Sequence, residues 1–497
     1  MNHVIGYVAV SSVILATAFI GFYGLRISRT TSDFYVASRT VRPWWNASAI
    51  GGEYLSAASF LGIAGLILLS GQDALWFPIG YTAGYLMLLL FVAAPLRRSG
   101  AFTIPDFVES RLESASARRI TSLLVIVVGW FYIVPQLHGA ALAIRISTGL
   151  SPWVGAVAVS AVVCLVVVTG GMRSITFVQA FQFWLKLTAI AVPVVFLLLI
   201  VVRDNPSGAT LGAELAEGIV GTEPASVYRN VSLIIALLFG TLGLPHVLVR
   251  FYTNPDGGSA RRTTVIVLGL LAVFYFFPTV LGFMGRAFMP ELAASGQADA
   301  VVLLLPNALA PGMLGDILTA MVIAGAFAAF LSTTSGLVVS LAGVISQDLF
   351  GGSVRGFRWA AVLASVVPLG VALLSDSSAI AGAVGLVFAF TASTICPLLL
   401  LGIWWRGLTA QGAIAGTITG AALCGGAILL GPLVLPAVDA AGLGLVRDLL
   451  AQPAACTVPL AFAVMIGVSL ATSASRPLSV SRVLARLHTP EQRPYAG

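Results

Sequence analysis

The run NASAIGGEYLSAASFLGIAG, Asn46 to Gly65, decides the fold. It is apolar enough to enter a bilayer, yet Gly51, Gly52, Glu53 and Ser56 stand where a spanning helix ordinarily carries Leu or Val. A helix in hydrocarbon satisfies its backbone internally, and irregular backbone survives at that depth only where it lines a cavity inside protein. Each Gly costs a helix interior about 1 kcal/mol, and an acid at mid-depth costs about 2.5 kcal/mol or more. Penalties of that size point to a site built on an interrupted helix. The competing reading is that small residues here only let neighbouring helices pack closely.

The rest of the chain agrees with a bilayer. Of its 497 residues 58% are hydrophobic and only 9% charged, with a mean hydropathy of +1.00. Soluble domains carry about a quarter charged residues, so the composition excludes a soluble globule and indicates a polytopic membrane protein. The formal net charge is +7, but it comes from Arg in short loops between apolar runs. That pattern carries topology and gives no nucleic-acid footprint. Cys164, Cys396, Cys424 and Cys456 lie in or beside apolar stretches without CxxC or Cys/His pairing, and read as packing residues.

Thirteen apolar runs are near or above the ~20 residues that cross a bilayer. The first, Val4 to Leu25, has neither a basic region before it nor a cleavage site after it, and reads as a retained helix. The interrupted second run is followed by Ala74 to Leu96, Ile120 to Ile144, Trp153 to Val168, Ile175 to Val202, Asn230 to Val249 and Thr263 to Met284. The last five are Leu314 to Ile345, Trp359 to Leu374, Ile380 to Ile403, Gly412 to Leu430 and Val458 to Leu470. With the N-terminus outside, the inner loops and tail collect Arg26 to Arg42, Arg97 to Arg119, Arg173, Arg250 to Arg262, Arg355, Arg358, Arg406 and Arg476 to Arg493. The outer loops keep Arg145, Arg203, Arg229, Arg286 and Arg447. The positive-inside rule then predicts an outer N-terminus and a cytoplasmic C-terminal tail, 471–497. Loops and tail are too short for a catalytic domain, so an enzyme is not expected.

Gly240, Gly243 and Pro245 interrupt the seventh run, LLFGTLGLPHVLVRF, five runs after the first interruption. Corresponding breaks in two five-helix halves point to an inverted-repeat secondary transporter. Helices 2–6, about 44–202, form one expected repeat and helices 7–11, about 230–430, the other. A third feature lies in the ninth run, where Ser332, Thr333, Thr334 and Ser335 are consecutive. Hydroxyls in membrane helices commonly bond back to their own i−4 carbonyl, but four in a row exceed that need. A small hard cation stripped of water requires several oxygens, which free carbonyls at a break plus facing hydroxyls can supply.

These residues carry a resemblance. The chain resembles the sodium:solute symporter family, and within it the cation/acetate (monocarboxylate) permease branch. The motifs are Asp33-Phe34-Tyr35-Val36-Ala37, GEYLSAASFLG from Gly52, Gly170-Gly171-Met172, GLPHVLVRF from Gly243, and Ser346-Gln347-Asp348-Leu349-Phe350. The resemblance implies an all-α, leucine-transporter-like fold in a bacterial cell membrane. By position it implies a Na+ site from the carbonyls of Gly52, Leu55 and Ala329 and the hydroxyls of Ser332 and Thr333. Relatives with two sodium ions carry an Asp where this chain has Gln179, so one ion is implied. Proton coupling stays open within the branch.

For the substrate, a broken helix exposes amides at the start of its second half, whose positive end attracts an anion. Ser56, Ala57, Ala58 and Ser59 stand there with small side chains, which suits a short monocarboxylate. Gln136, Gly243 and His246 are further candidates for substrate contact; Gln136 reads equally as an interhelical hydrogen bond, and His246 as a packed gate residue. Glu53 reads as a local negative potential, a proton relay or a neutral buried acid. Lys186, the single lysine, is expected to snorkel to the inner face, and Arg250 to be a structural or lipid-facing cation there. The expected function is uptake of acetate, propionate or pyruvate with Na+ by alternating access. A symporter for proline or an osmolyte, a transport-like sensor and a channel are the alternatives. The expected partners are a small carboxylate and membrane lipid.

Overall fold

The computed structural model describes residues 3–24, 30–204, 227–375, 380–440 and 442–491, and these contain helix and turn but no strand. Arg26, Arg29 and Arg493, which enter the expected charge asymmetry, lie outside the described residues. Among those described, ten helices are long and apolar enough to cross a bilayer, or eleven when the bent pair Val227–Gly243 and Pro245–Thr253 is taken as one span. Two of the ten are composites. Pro152–Asp204 has 53 residues, about 80 Å of helix at 1.5 Å per residue, against a hydrocarbon core of about 30 Å. It turns at Gly171, where φ is 56° and ψ is −159°. An added Cβ there would meet Phe34 at 2.6 Å, so the position requires glycine both for its backbone angle and for space. Ala58–Phe91 is likewise interrupted by a tight turn at Gly71–Leu75. Dividing both composites gives thirteen crossings.

The second crossing is broken where the sequence predicts. Its first half, Pro43–Tyr54, ends as Leu55 leaves helical geometry at φ −74° and ψ 83°. The chain re-enters through a wide turn at Ala58–Gly62 and continues as Ile63–Ser70. Leu55 N still reaches Gly51 O at 3.1 Å and Phe60 N reaches Ser56 O at 2.9 Å. The carbonyls of Gly52, Glu53 and Leu55 lie between those two bonds and need other donors. The seventh crossing breaks similarly. Val227–Gly240 tightens at Thr241–Gly243, Leu244 is extended, and Pro245–Val249 restarts the helix with proline in its first turn, where no amide is needed.

The ninth crossing, Met313–Leu349, runs through the centre of the bundle, and every residue from Gly325 to Ser346 is buried. It packs on the 152–204 element, on the fourth crossing Ala115–Thr148 and on the first half of the broken helix. Close approach to that first half requires glycine on two sides: against the 152–204 element a Cβ on Gly52 would lie 2.2 Å from Gln179 O, and on the ninth crossing one on Gly336 would lie 2.1 Å from Glu53 Oε1.

The two ends of the bundle differ. At one, Arg118 reaches Asp106 at 2.8 Å, Glu109 at 2.6 Å and Asp348 at 2.9 Å, and Arg173 reaches Asp33 at 2.8 Å. Arg111 donates to the carbonyls of Gly402 and Trp405, each at 2.9 Å. The tail is folded onto this end, with Leu484 and Leu487 of the helix Val480–His488 buried. At the other end a recess of about 470 Å³ is lined by His138, Arg145, Trp153, Asp299 and Ser375 among others.

Candidate functional site

Three segments meet at the first break: the freed carbonyls, the hydroxyl run of the ninth crossing, and the sixth crossing, 172–204. Ser332 Oγ donates to Gly52 O at 2.6 Å and contacts Ala329 O at 3.1 Å. Thr333 Oγ1 donates to Glu53 O at 2.6 Å. The sixth crossing contributes Lys186, whose ammonium donates to Gly52 O, to Leu55 O at 2.7 Å and to Ser332 Oγ at 2.9 Å. A lysine ammonium has three donors and no acceptor. Here all three are used, two of them on carbonyls released by the break.

Lys186 therefore does not snorkel. It is wholly buried, because its side chain leaves the helix on the face turned toward the break. Arg250 is not lipid-facing either. It too is fully buried: Nε meets Glu53 Oε2 at 2.6 Å, Nη1 donates to Thr176 Oγ1 at 2.8 Å and Nη2 donates to Gln179 Oε1. Gln179 Nε2 continues to Ser332 O at 2.7 Å. A buried charge without a partner is prohibitive, and a paired one needs good geometry and further hydrogen bonds. Glu53, Arg250, Gln179 and Thr176 meet that condition together and link the two breaks to the sixth and ninth crossings.

The sequence-derived ion ligands are thus close together but not equivalent. Gly52, Leu55 and Ser332 converge on the Lys186 ammonium, Ala329 O touches the Ser332 hydroxyl, and Thr333 Oγ1 is turned to the Glu53 carbonyl. The expected substrate contacts are dispersed more widely. Gln136 Oε1 accepts the Ala57 amide at 2.8 Å, so this amide at the start of the second half-helix already has a partner. Ser59 Oγ pairs with Tyr275 Oη at 3.1 Å, and Ser56 is buried. Gly243 is close-packed, with Thr391 O 3.0 Å from where its Cβ would be. His246 is fully buried, its ring centre 5.1 Å from that of Tyr132, and neither ring nitrogen has a partner among the described residues.

Sequence reasoning missed the aromatic lining. Tyr54, Tyr81, Tyr85, Tyr132 and Phe388 form linked ring contacts between the two breaks, including Tyr54 with Tyr85 at 4.5 Å and Tyr81 with Phe388 at 5.0 Å. The hydroxyls of Tyr81 and Tyr85 are buried without partners among the described residues. Tyr81 and Tyr85 are four residues apart in WFPIGYTAGYLMLLLF, a spacing that places both on one helix face. That spacing was the available signal.

The family model for the sodium:solute symporter family matches residues 34–420. The chain belongs to that family. An uncharacterized symporter, YwcA, of Bacillus subtilis (strain 168) is 33% identical over 433 residues, covering 82% of this chain and 83% of that protein. Two solved structures share the fold at low identity. A Na+-coupled sialic acid symporter, described as substrate-bound and outward-open, superposes with a TM-score of 0.72 at 16% identity, covering 95% of this chain and 98% of the other. Mhp1, a nucleobase-cation-symport-1 family transporter in a closed conformation, superposes with a TM-score of 0.56 at 15% identity, covering 91% and 98%. The fold is thus that of leucine-transporter-like secondary transporters, and the protein is a solute symporter and not an enzyme. Na+ is the coupling ion to which the family points. At the first break, however, Gly52 O, Leu55 O and Ser332 Oγ are all engaged by Lys186, so the residues as arranged do not fit a sodium ion at that position.

Proposed function

We propose that this symporter takes up a short-chain monocarboxylate, such as acetate, propionate or pyruvate, by alternating access between two inverted repeats, about 44–202 and 230–430. In this reading the N-terminus faces outward and the Arg-rich end faces the cytoplasm of a bacterial cell. The observation that carries it is His246, buried beside Tyr132 with both ring nitrogens free of partners among the described residues. A neutral imidazole offers one N–H donor to a carboxylate. Ala57 and Ala58 have small side chains, which in this reading suits a substrate with a methyl or ethyl group.

Family membership supports Na+ as the driving ion. A second reading, uptake driven by a proton gradient, is favoured by the Lys186 contacts, because a cation from the chain itself already stands on the expected ligands. One monovalent cation with one monovalent anion moves no net charge, whereas an uncompensated charge gains about 2.3 kcal/mol per 100 mV. Flux is therefore expected to respond weakly to voltage.

The test is uptake of labelled pyruvate, propionate and acetate into proteoliposomes under Na+, Li+ or pH gradients, with protein-free liposomes correcting for leak of the undissociated acids. Saturable pyruvate uptake, inhibited by the other short acids and not by proline, is the expected result. Competition by proline and none by short acids would replace the substrate class. His246→Ala is expected to raise KM about ten- to a hundredfold, since a lost hydrogen bond to a charged group costs roughly 1.5–3 kcal/mol.

A further inference from the structure

We propose that the Lys186 ammonium is a resident cation that stands in place of sodium at the first break, so that Na+ does not bind between Gly52, Leu55 and Ser332 in this protein, and that removing the lysine opens the position to Na+. The proposal concerns the ion site alone and does not depend on which solute is carried.

Stoichiometry supports it first. The ammonium has three donors, and it meets three acceptors: the Gly52 and Leu55 carbonyls and the Ser332 hydroxyl. Lysine is a compact point charge on a flexible stem, so it can sit on two carbonyls and a hydroxyl much as an alkali cation would. A sodium ion would have to take the same oxygens.

Repulsion is the second support. An ion bound near those oxygens would stand within a few ångströms of the ammonium, where two like charges repel far more strongly than in water. The nearest negative charge does not offset this. Glu53, beside Gly52 in sequence, is already committed to Arg250 at 2.6 Å. Among the described residues, no other element packed around Lys186 supplies an acid within ion-pair distance of it. The ninth crossing has no titratable side chain from Ile317 to Gln347, and 301–309 has none. The fourth crossing brings Tyr132 and His138, the latter bonded to Ala372 O at 3.1 Å, and the eighth brings Tyr275, bonded to Ser59. The first crossing brings Tyr7, held by Thr148 O at 3.3 Å, and Asp33 is paired with Arg173.

The third support is the dehydrated setting. Gly52, Leu55, Lys186, Ser332 and Thr333 are all buried, and withdrawing the ammonium would leave Leu55 O without its donor and Gly52 O with the Ser332 hydroxyl alone. In such a site the oxygens accept a cation of some kind, and the chain supplies its own.

The experiment is thermal unfolding of the purified full-length protein in NaCl, KCl and choline chloride at equal ionic strength, for the wild type, Lys186→Ala and Lys186→Met. Expected is a wild-type Tm that is the same in all three salts, and a Lys186→Ala Tm that rises by at least about a degree in NaCl alone. A Na+-specific rise in the wild type would overturn the proposal, and so would a folded Lys186→Ala that ignores Na+. If neither variant folds, the wild-type comparison decides: indifference to Na+ supports the assignment and a Na+-specific rise overturns it. No solute is present, so the result stands whether or not the carboxylate reading holds.

Discussion

The two interrupted crossings solve the same backbone problem with different chemistry. At the first, the freed carbonyls are met by a full positive charge and by two hydroxyls from a distant crossing. At the second, satisfaction is neutral and largely local. Thr391 Oγ1 reaches Gly240 O at 3.2 Å, Thr241 Oγ1 bonds back to Leu237 O at 2.7 Å, and Leu248 N reaches Leu244 O at 3.1 Å. Charge enters the second break only at its far end, where Arg250 turns back to the first break to pair with Glu53. The first break is therefore the electrostatic centre of the molecule, and the second is a packed neutral hinge. A symporter needs both: a position whose occupancy favours one state over another, and a hinge able to move without separating charges.

The largest effect expected from this contrast is at the shared ion pair. Arg250→Met leaves the Glu53 carboxylate buried without its cation and should cost about 3–5 kcal/mol, read as loss of folded protein on size exclusion and a fall in Tm. The Glu53→Met/Arg250→Met double variant should lose less than the sum of the two single variants. Strict additivity would mean that the pair does not couple the breaks.

Next come the glycines. Gly52→Ala drives a Cβ to 2.2 Å from Gln179 O, while Gly243→Ala meets Thr391 O at 3.0 Å. The first should cost about 1–3 kcal/mol through overpacking and stop transport. The second should fold normally, with uptake within a few-fold of wild type. Equal tolerance of both would erase the distinction between Gly52 and Gly243, a distinction that does not extend to Gly240, whose Cβ would lie 2.4 Å from Phe388 O.

The smallest effects separate hydroxyls. Ser332→Ala removes one acceptor of the Lys186 ammonium and a donor to Gly52 O, and should cost about 1–3 kcal/mol. Thr391→Val removes one neutral hydrogen bond at the second break, for about 1 kcal/mol. Reversal of that order in paired melting curves would contradict the assignment of charge to the first break.

Much of this was legible from sequence. Paired glycine with an acid at mid-depth, and Gly-Leu-Pro five crossings later, are backbone statements, and both breaks fall where those residues stand. The run Ser332 to Ser335 could be read because hydroxyls in that number have no local use in a helix. Side-chain direction was not legible from the same patterns. Whether Lys186 reaches water depends on the helix face it leaves from, and hydropathy ignores face. The usable signal was the stripe Gln179, Gln182 and Lys186, whose spacing of three and seven residues puts all three on one side of the sixth crossing. Gln179 bonds to Ser332 and Gln182 to Thr17, both within the protein, and the lysine follows them inward. The Arg250 pairing depends on two segments 197 residues apart meeting, a contact that no local pattern reports.

The most direct test of the account uses the fact that the chain contains a single lysine. Lysine-selective isotope labelling of the full-length protein in lipid nanodiscs gives one side-chain amine signal, and hydrogen exchange with water can be followed on it. A dispersed signal whose protons exchange slowly, restored toward water-like exchange by Ser332→Ala, is the predicted result. A freely exchanging signal at the position of an exposed lysine in the wild type would contradict the claim that this ammonium ties the first break together.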